Sequence, residues 1–313
     1  VRILVTGGAG FVGSHVVERL LADGHAVTVV DNLVTGRREN VAPAAALHVC
    51  DIRSPRLRQV VAAARPDVVV HVAAQAAVAR SVADPVLDAS VNVVGTVAVL
   101  DAARRFGVGR VVYTSTGGAA YGDTDVRPTP EDHPARAASP YGVSKVAAER
   151  YLECWTTLFG TSTLALRLAN VYGPRQDPQG EAGVVAIFCH RLLSGQDCII
   201  NGDGEQTRDY VYVEDVADAV ARAVVRPETT GILNIGTGVE TTVNELYRRL
   251  APLAGVTRPA RHGPPRPGEQ RRSVLDASRA KARLGWAPVT PLDEGLRRTL
   301  AWFRARAGEG ERR

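Results

Sequence analysis

Along the first half of the chain, short and nearly continuous apolar runs alternate with longer segments whose apolar residues recur at helical spacing. The runs Arg2–Thr6, Ala26–Val30, Leu47–Cys50, Val68–Ala73, Arg110–Ser115 and Thr163–Leu168 are rich in β-branched residues. Runs that are apolar on both faces predict parallel strands covered from both sides. Between the first two, Val12, Val16, Val17, Leu20 and Leu21 mark one face of a helix, with Gly24 as the expected stop. The repeated βα rhythm predicts an α/β fold with a doubly wound parallel sheet. From about Asn170 the rhythm weakens, and Gly- and Pro-rich loops separate shorter elements of a second, smaller α/β region. A strand at Tyr210–Val213, a helix at Asp215–Val225 and a strand at Ile232–Ile235 restore the βαβ pattern. The expected division is therefore residues 1–169 plus about 208–236 in one domain, and about 170–207 plus 237–313 in the other. Thr242-Val243-Asn244-Glu245 reads as a capping box opening a helix, Ala260–Glu269 as a proline-rich loop, and Gly308–Arg313 as a frayed tail.

Composition narrows the classes. The chain has 313 residues, 45% of them hydrophobic, enough to bury a full core without disulfide staples. Cys50, Cys154, Cys189 and Cys198 are scattered, with no C-x-x-C pair, so no structural metal site is expected and a reduced, cytoplasmic setting is. No secretory signal follows Val1–Val5, and no apolar run reaches the ~18 residues of a membrane span, so no membrane partner is expected. The net charge is +5, but all basic residues except Lys145 and Lys281 are arginines, interleaved with Asp and Glu along the whole length. Without a basic stripe or an aromatic stacking set, nucleic acid is not the expected partner; a phosphorylated small molecule is.

Gly7, Gly10 and Gly13 follow the first apolar run with spacing G-x-x-G-x-x-G and open the first helix. Such a turn brings backbone close to a pyrophosphate and aims free N–H groups of a helix N-terminus at it, as in a Rossmann dinucleotide site. Asp31 ends the second run, 18 residues after Gly13, where a carboxylate bonds the ribose hydroxyls of a dinucleotide. It would repel a 2′-phosphate, which favours NAD over NADP; Arg37 and Arg38 nearby weigh the other way. Asp51-Ile52 is placed to cap the adenine edge, and His71–Gln75, with the small Ala73 and Ala74, to let a cofactor lie across the strand ends.

Tyr141 and Lys145 are four residues apart and share a helix face. A phenol titrating near ~10 is no base at neutral pH, but a nearby ammonium favours the phenolate. Choosing lysine where nearly every other cation is arginine points to a role that guanidinium cannot fill. A hydroxyl at the end of the fifth run would complete the set. Thr116 is the first choice and Ser115 the alternate, either able to bridge a substrate hydroxyl to the phenolate.

These residues resemble the extended short-chain dehydrogenase/reductases. Within them the chain is most similar to nucleotide-sugar 4-epimerases of the UDP-glucose 4-epimerase kind. The likeness runs nearly end to end. It rests on Thr6–His15, Asp31-Asn32-Leu33-Val34-Thr35-Gly36, His71–Gln75, Thr114–Gly122, Tyr141–Lys145, Asn170–Pro174, Gly202–Gly204, Thr207–Val211, Arg266–Glu269 and Leu284-Gly285-Trp286. It implies an NAD-dependent isomerase of carbohydrate metabolism, with galactose use among the pathways, that inverts C4 of a UDP-hexose through a 4-keto intermediate. Tyr141 would act as the base, with Thr116 bridging. It adds Phe11, Val12, Asn32, Leu33, Thr35, Gly36, Gln75 and Thr114 to the cofactor contacts, and places Asn92 and Lys145 at the nicotinamide half. Asn170, Arg208 and Arg266 would hold the diphosphate or its ribose, with Glu269 in the same motif. Related dehydratases and decarboxylases carry an acid just after the reactive Thr, whereas Gly117 and Gly118 stand here. Ser273 sits where the family gates the sugar C2 substituent, and a small residue there leaves room for UDP-GlcNAc and UDP-GalNAc. The resemblance also implies a homodimer joined through helices near Val86–Arg105 and Tyr141–Leu158. The alternatives are a UDP-glucuronate 4-epimerase, a nucleotide-deoxysugar 4-ketoreductase, or a non-enzymatic dinucleotide-sensing regulator.

Overall fold

A computed structural model describes residues 1–179, 183–266 and 270–310. In chain order the elements are β1 (Arg2–Thr6), α1 (Phe11–Ala22), β2 (Ala26–Asp31), β3 (Ala46–Val49), α2 (Arg56–Ala64), β4 (Val68–His71), α3 (Val78–Ala83) and α4 (Pro85–Ala89). A π turn (Ser90–Val94) leads without a break into α5 (Gly95–Arg105). There follow β5 (Arg110–Thr116), α6 (Gly118–Tyr121), α7 (Pro140–Phe159), β6 (Ser162–Leu168), β7 (Asn170–Tyr172), α8 (Val184–Leu193), β8 (Ile199–Asn201), β9 (Thr207–Arg208) and β10 (Tyr210–Tyr212). The remainder is α9 (Val213–Val224), β11 (Gly231–Ile235), β12 (Thr241–Thr242), α10 (Val243–Leu253), β13 (Arg261–Gly263), α11 (Ser278–Leu284) and α12 (Leu292–Gly310).

Seven parallel strands form one sheet in the order β11-β6-β5-β4-β1-β2-β3. The strand order reverses between β1 and β4, which opens a crevice at their carboxyl ends. Burial explains the unbroken apolar runs. One sheet face packs Ile3, Val5, Val29 and Val70 against α1 and α9; the other packs Leu4, Val30, Val69 and Val111 against α2, α5 and α7. Each such fully buried side chain contributes roughly 1.5–3 kcal/mol over its exposed state. A third core joins β7, β8 and β10 to α8, α10 and α12 around Tyr172, Phe188, Tyr212, Leu246 and Leu296. Trp286 is fully buried on the first core, its indole N–H donating to the Asp215 carbonyl at 2.9 Å.

Several local expectations shift. The segment from Ala260 is not all loop: β13 pairs in parallel with β8, because the three residues before Pro264 keep their N–H donors. Thr242 does cap α10, accepting from the Glu245 N–H at 3.0 Å, but the Glu245 carboxylate turns to Arg249 instead of closing the box. Helix α12 continues through Gly308 to Gly310, further than a tail frayed from Gly308. The span Pro85–Arg105 is long and apolar enough by length and mean hydropathy to cross a bilayer, although Asp88 and Asp101 interrupt its apolar run; 44% of its most apolar 18-residue window is buried inside the protein.

Candidate active site

The glycine loop is shaped by contact distances that admit no side chain. A Cβ on Gly13 would lie 2.0 Å from the Gly7 carbonyl oxygen, and one on Gly7, at φ +73°, 2.6 Å from the Ala73 nitrogen. Helix α1 starts at this loop with neither a side-chain cap nor an acidic residue in its first turn, which leaves its N-terminal field for an anion. Asp31 braces the loop: its carboxylate accepts from the Ala9 N–H at 3.0 Å and the Leu33 N–H at 2.8 Å. Gly36 lies against it, a Cβ there falling 2.7 Å from Asp31 Oδ1.

A cavity of about 580 Å³ extends from this loop. Gly7, Gly10, Phe11, Val12, Gly13, Asp31, Asn32, Thr35, Asp51, Ile52, Ala73 and Ala74, all among the expected cofactor contacts, line it. Leu33, Gly36, Gln75, Asn92 and Thr114 are not among its walls. Leu33 and Gly36 act on Asp31, while Thr114 donates to the His71 carbonyl at 3.3 Å. The cavity fits a dinucleotide: a backbone cradle for the diphosphate and a carboxylate at the end of β2. Asn32 donates to Asp51 at 3.1 Å, and Arg53 holds the Asp51 carboxyl well below its ordinary range, so this edge is firmly anionic.

The opposite wall escaped the sequence reading. Arg175, Gln176, His190 and Ser194, with Trp302, Phe303 and Arg306 of α12, face the glycine loop across the cavity. Contacts across the gap tie the two sides: His15 Nε2 donates to the Pro174 carbonyl at 3.0 Å, Arg175 donates to Glu18 at 2.6 Å, and Arg306 lies 3.6 Å from Glu39. No local motif marks these residues, since each reaches the cavity through the packing of distant elements.

The reactive set lies further along the strand ends, outside the cavity walls. Helix α7 is fixed at its start by Ser139, which accepts from the Gly142 N–H at 3.2 Å, and by Pro140 in its first turn. Its first turns carry Tyr141 and Lys145. Strand alternation separates the two hydroxyls left open at β5. Ser115 points to the buried side and donates to Glu149 at 2.6 Å, whereas Thr116, the last residue of β5, lies outside that buried pair. Glu149 is itself clamped by Arg167 through two hydrogen bonds of 2.9 and 2.7 Å.

The Tyr141 phenol is not brought below its ordinary range: burial pushes it up to about 12, partly offset by the Thr116 side chain. Burial also pulls Lys145 down to about 7, opposed by the Glu149 and Asp88 carboxylates, so the ammonium is itself poised to lose its charge. Lys145 Nζ sits 4.4 Å from the centre of the Tyr113 ring. Beneath it His71 is buried and neutral, brought down to about 3 by desolvation and by Lys145. The Thr96 hydroxyl gives its proton to the Asn92 carbonyl, so it accepts from His71 Nε2, and Nδ1 accepts from Thr6.

The residues expected to hold substrate are spread around this end. Asn170 begins β7, its N–H bound to the Asp209 carbonyl at 2.9 Å. Arg208 donates to the Thr207 carbonyl. Arg266 is exposed and lines no described cavity, and Glu269 lies outside the described residues. Ser273 is buried beside Gly118, where an added Cβ would lie 3.1 Å from its Oγ.

With this geometry in hand, four likenesses carry weight. A family model for the NAD dependent epimerase/dehydratase family matches residues 3–236. A UDP-glucose 4-epimerase of Mycolicibacterium smegmatis is 49% identical over 97% of this chain and 98% of its own length. The solved UDP-glucose 4-epimerase of Thermotoga maritima, with UDP-glucose, superposes with a TM-score of 0.95 at 46% identity, covering 97% of this chain and 99% of that one. That of Thermus thermophilus, in complex with NAD, gives 0.93 at 46% identity over the same shares.

Proposed function

The chain belongs to the NAD dependent epimerase/dehydratase family, within the extended short-chain dehydrogenase/reductases, and from that premise we propose that it interconverts UDP-glucose and UDP-galactose by inverting C4. The observation that carries this reading is the pair of Tyr141 and buried Lys145 in the first turns of α7, with Thr116 at the end of β5, next to a dinucleotide cradle. NAD, when bound, accepts and returns the hydride of C4 by way of a 4-keto sugar.

The chain's own residues do the rest. Thr116 hands the C4 hydroxyl proton to Tyr141 and takes it back on the other sugar face. Lys145, while charged, favours the phenolate against the burial that opposes it. Gly7, Gly10, Gly13 and Asp31 keep the cofactor in place between half-reactions. Asn170, Arg208 and Arg266 anchor the diphosphate, leaving the sugar free to turn. Position 117 supports inversion over elimination: it is glycine, without the acid that dehydration needs, and a Cβ there would meet the Leu275 side chain at 2.5 Å. Small Ser273 leaves space for an N-acetyl group at C2. Residues 1–169 with about 208–236 form the cofactor domain in this reading, and the remainder the substrate domain. Exposed Val86 and Val94 near α4 and α5, with Val143, Tyr151 and Leu158 on α7, support a homodimer joined through these helices, and the setting is cytoplasmic.

The test uses purified protein with no added cofactor. UDP-glucose, UDP-GlcNAc and UDP-glucuronate are offered separately and the C4 epimer is followed by proton NMR. Conversion of UDP-glucose supports the proposal. No conversion of any of them, with NAD supplied, removes it. Stoichiometric consumption of added NADH would instead indicate a 4-ketoreductase.

A further inference from the structure

Asp88 is a buried carboxylate that the mechanism above leaves without a task. It is 1% exposed, on α4, and no ion pair to it occurs among the described residues. Its Oδ1 accepts from Gln75 Nε2 at 2.8 Å and from Asn92 Nδ2 at 3.1 Å; its Oδ2 is buried with no hydrogen-bond partner. A buried charge left this way is costly unless an opposite charge faces it. The elements around it offer few candidates. Helix α3 contributes only Arg80, which is exposed, and the π turn has no ionisable side chain. Helix α7 contributes Tyr141, Lys145 and Glu149, while Tyr113 of β5 and His71 of β4 lie behind the lysine. Among these Lys145 is the cation. Of the two carboxylates that support its charge, Glu149 is already matched by Arg167, whereas Asp88 is not.

We propose that Asp88 is the counter-charge of Lys145, an anionic positioning residue held by Gln75 and Asn92 that keeps the buried ammonium charged beside Tyr141. The assignment gives Gln75 and Asn92 a shared purpose. Asn92 sits in the π turn, where the helix departs from its regular bonding, and its amide reaches Asp88, the Gln75 carbonyl and Ser144 Oγ, the last at 3.0 Å. One link thus runs from the end of β4 through the carboxylate to α7. The role rests on the proposed function for its kinetic consequence, but not for its electrostatic one.

Asp88→Asn is a sharp test. An asparagine oxygen can accept both existing hydrogen bonds, and its nitrogen replaces the oxygen that has no partner. The change therefore removes charge and little else. The chain has only two lysines, so protein labelled with ¹³C at lysine Cε gives two signals, and Lys281→Arg identifies that of Lys145. Loss of the facing anion lowers the Lys145 midpoint by about 1–2 pH units. It also eases ionisation of Tyr141, so both limbs of the kcat profile move toward acid. Asp101→Asn, a carboxylate on the surface of α5, is the control and leaves the Lys145 midpoint in place. A Lys145 midpoint in Asp88→Asn that superimposes on the wild type overturns the proposal. Should Asp88→Asn fail to fold, Asp88→Glu, which keeps the charge, is titrated in its place: a wild-type midpoint in a folded protein supports the role, and a midpoint displaced by a full unit opposes it. If the wild type turns over no nucleotide sugar, the functional reading fails, while the lysine titration still decides this one.

Discussion

The two ends of the crevice are built by different means. At the glycine loop, specificity is steric: backbone approaches backbone at distances that a single added carbon would violate, and one carboxylate braces the loop by accepting the Ala9 N–H. At the other end, buried charge does the work: Lys145 over Tyr113, Glu149 clamped by Arg167, and buried Asp88 supporting the charge of the lysine. The first end should tolerate changes of pH and fail on changes of size. The second should tolerate size better than a change of charge or protonation.

Four experiments sharpen this contrast, in descending order of expected effect. Tyr141→Phe should lower kcat by ~10²–10⁴-fold while leaving bound NAD, read from the absorbance of the denatured extract, at wild-type stoichiometry. Loss of the cofactor along with activity would show that the two ends are not separable. Glu149→Gln strands the Arg167 guanidinium in a site where both side chains are nearly fully buried. Urea unfolding should report a loss of about 3–5 kcal/mol, and an unchanged midpoint would remove the buried pair from the account. Gly13→Ala forces a Cβ onto the Gly7 carbonyl, at a cost of roughly 1–3 kcal/mol, so the purified variant should carry ~10-fold less NAD or worse, with its pH profile unmoved once NAD is added in excess.

The smallest effect is on acid stability. His71 is held near 3 and His15, pulled down chiefly by burial, near 4, whereas in the unfolded chain both titrate at the ordinary 6.5. Between those values the unfolded state binds more protons, so stability rises with pH and is lost as pH falls below 6.5. The contribution is roughly 2 kcal/mol per histidine by pH 4.5. His71→Gln should flatten the slope of unfolding free energy between pH 6.5 and 4.5, and an unaltered slope would place the acid sensitivity elsewhere.

The same division decides what could be read from the sequence. The glycine loop, Asp31 and the strand ends were legible because their constraints are local: a fixed spacing, a strand before, a helix after. Tyr141 and Lys145 were legible as a helical pair. The sequence left Ser115 and Thr116 open because both end the same strand, and only the position of Glu149 on α7 shows which hydroxyl is already engaged. Asp88 carried no signal, since its meaning depends on Lys145, 57 positions away. The far wall of the cofactor cavity was equally silent. Trp302, Phe303 and Arg306 carry no motif, and they reach the cavity because the third core holds α12 in place.

That arrangement has a consequence for biosynthesis. The glycine loop is translated well before α12, which carries part of the wall that faces it, nearly three hundred codons later. At ~5–20 residues per second, the nascent polypeptide waits tens of seconds with its first βαβ unit formed and its dinucleotide pocket lacking one side. Cofactor loading is thus a late event in the life of each new molecule, closing the structure only after the ribosome has delivered the helix that completes it.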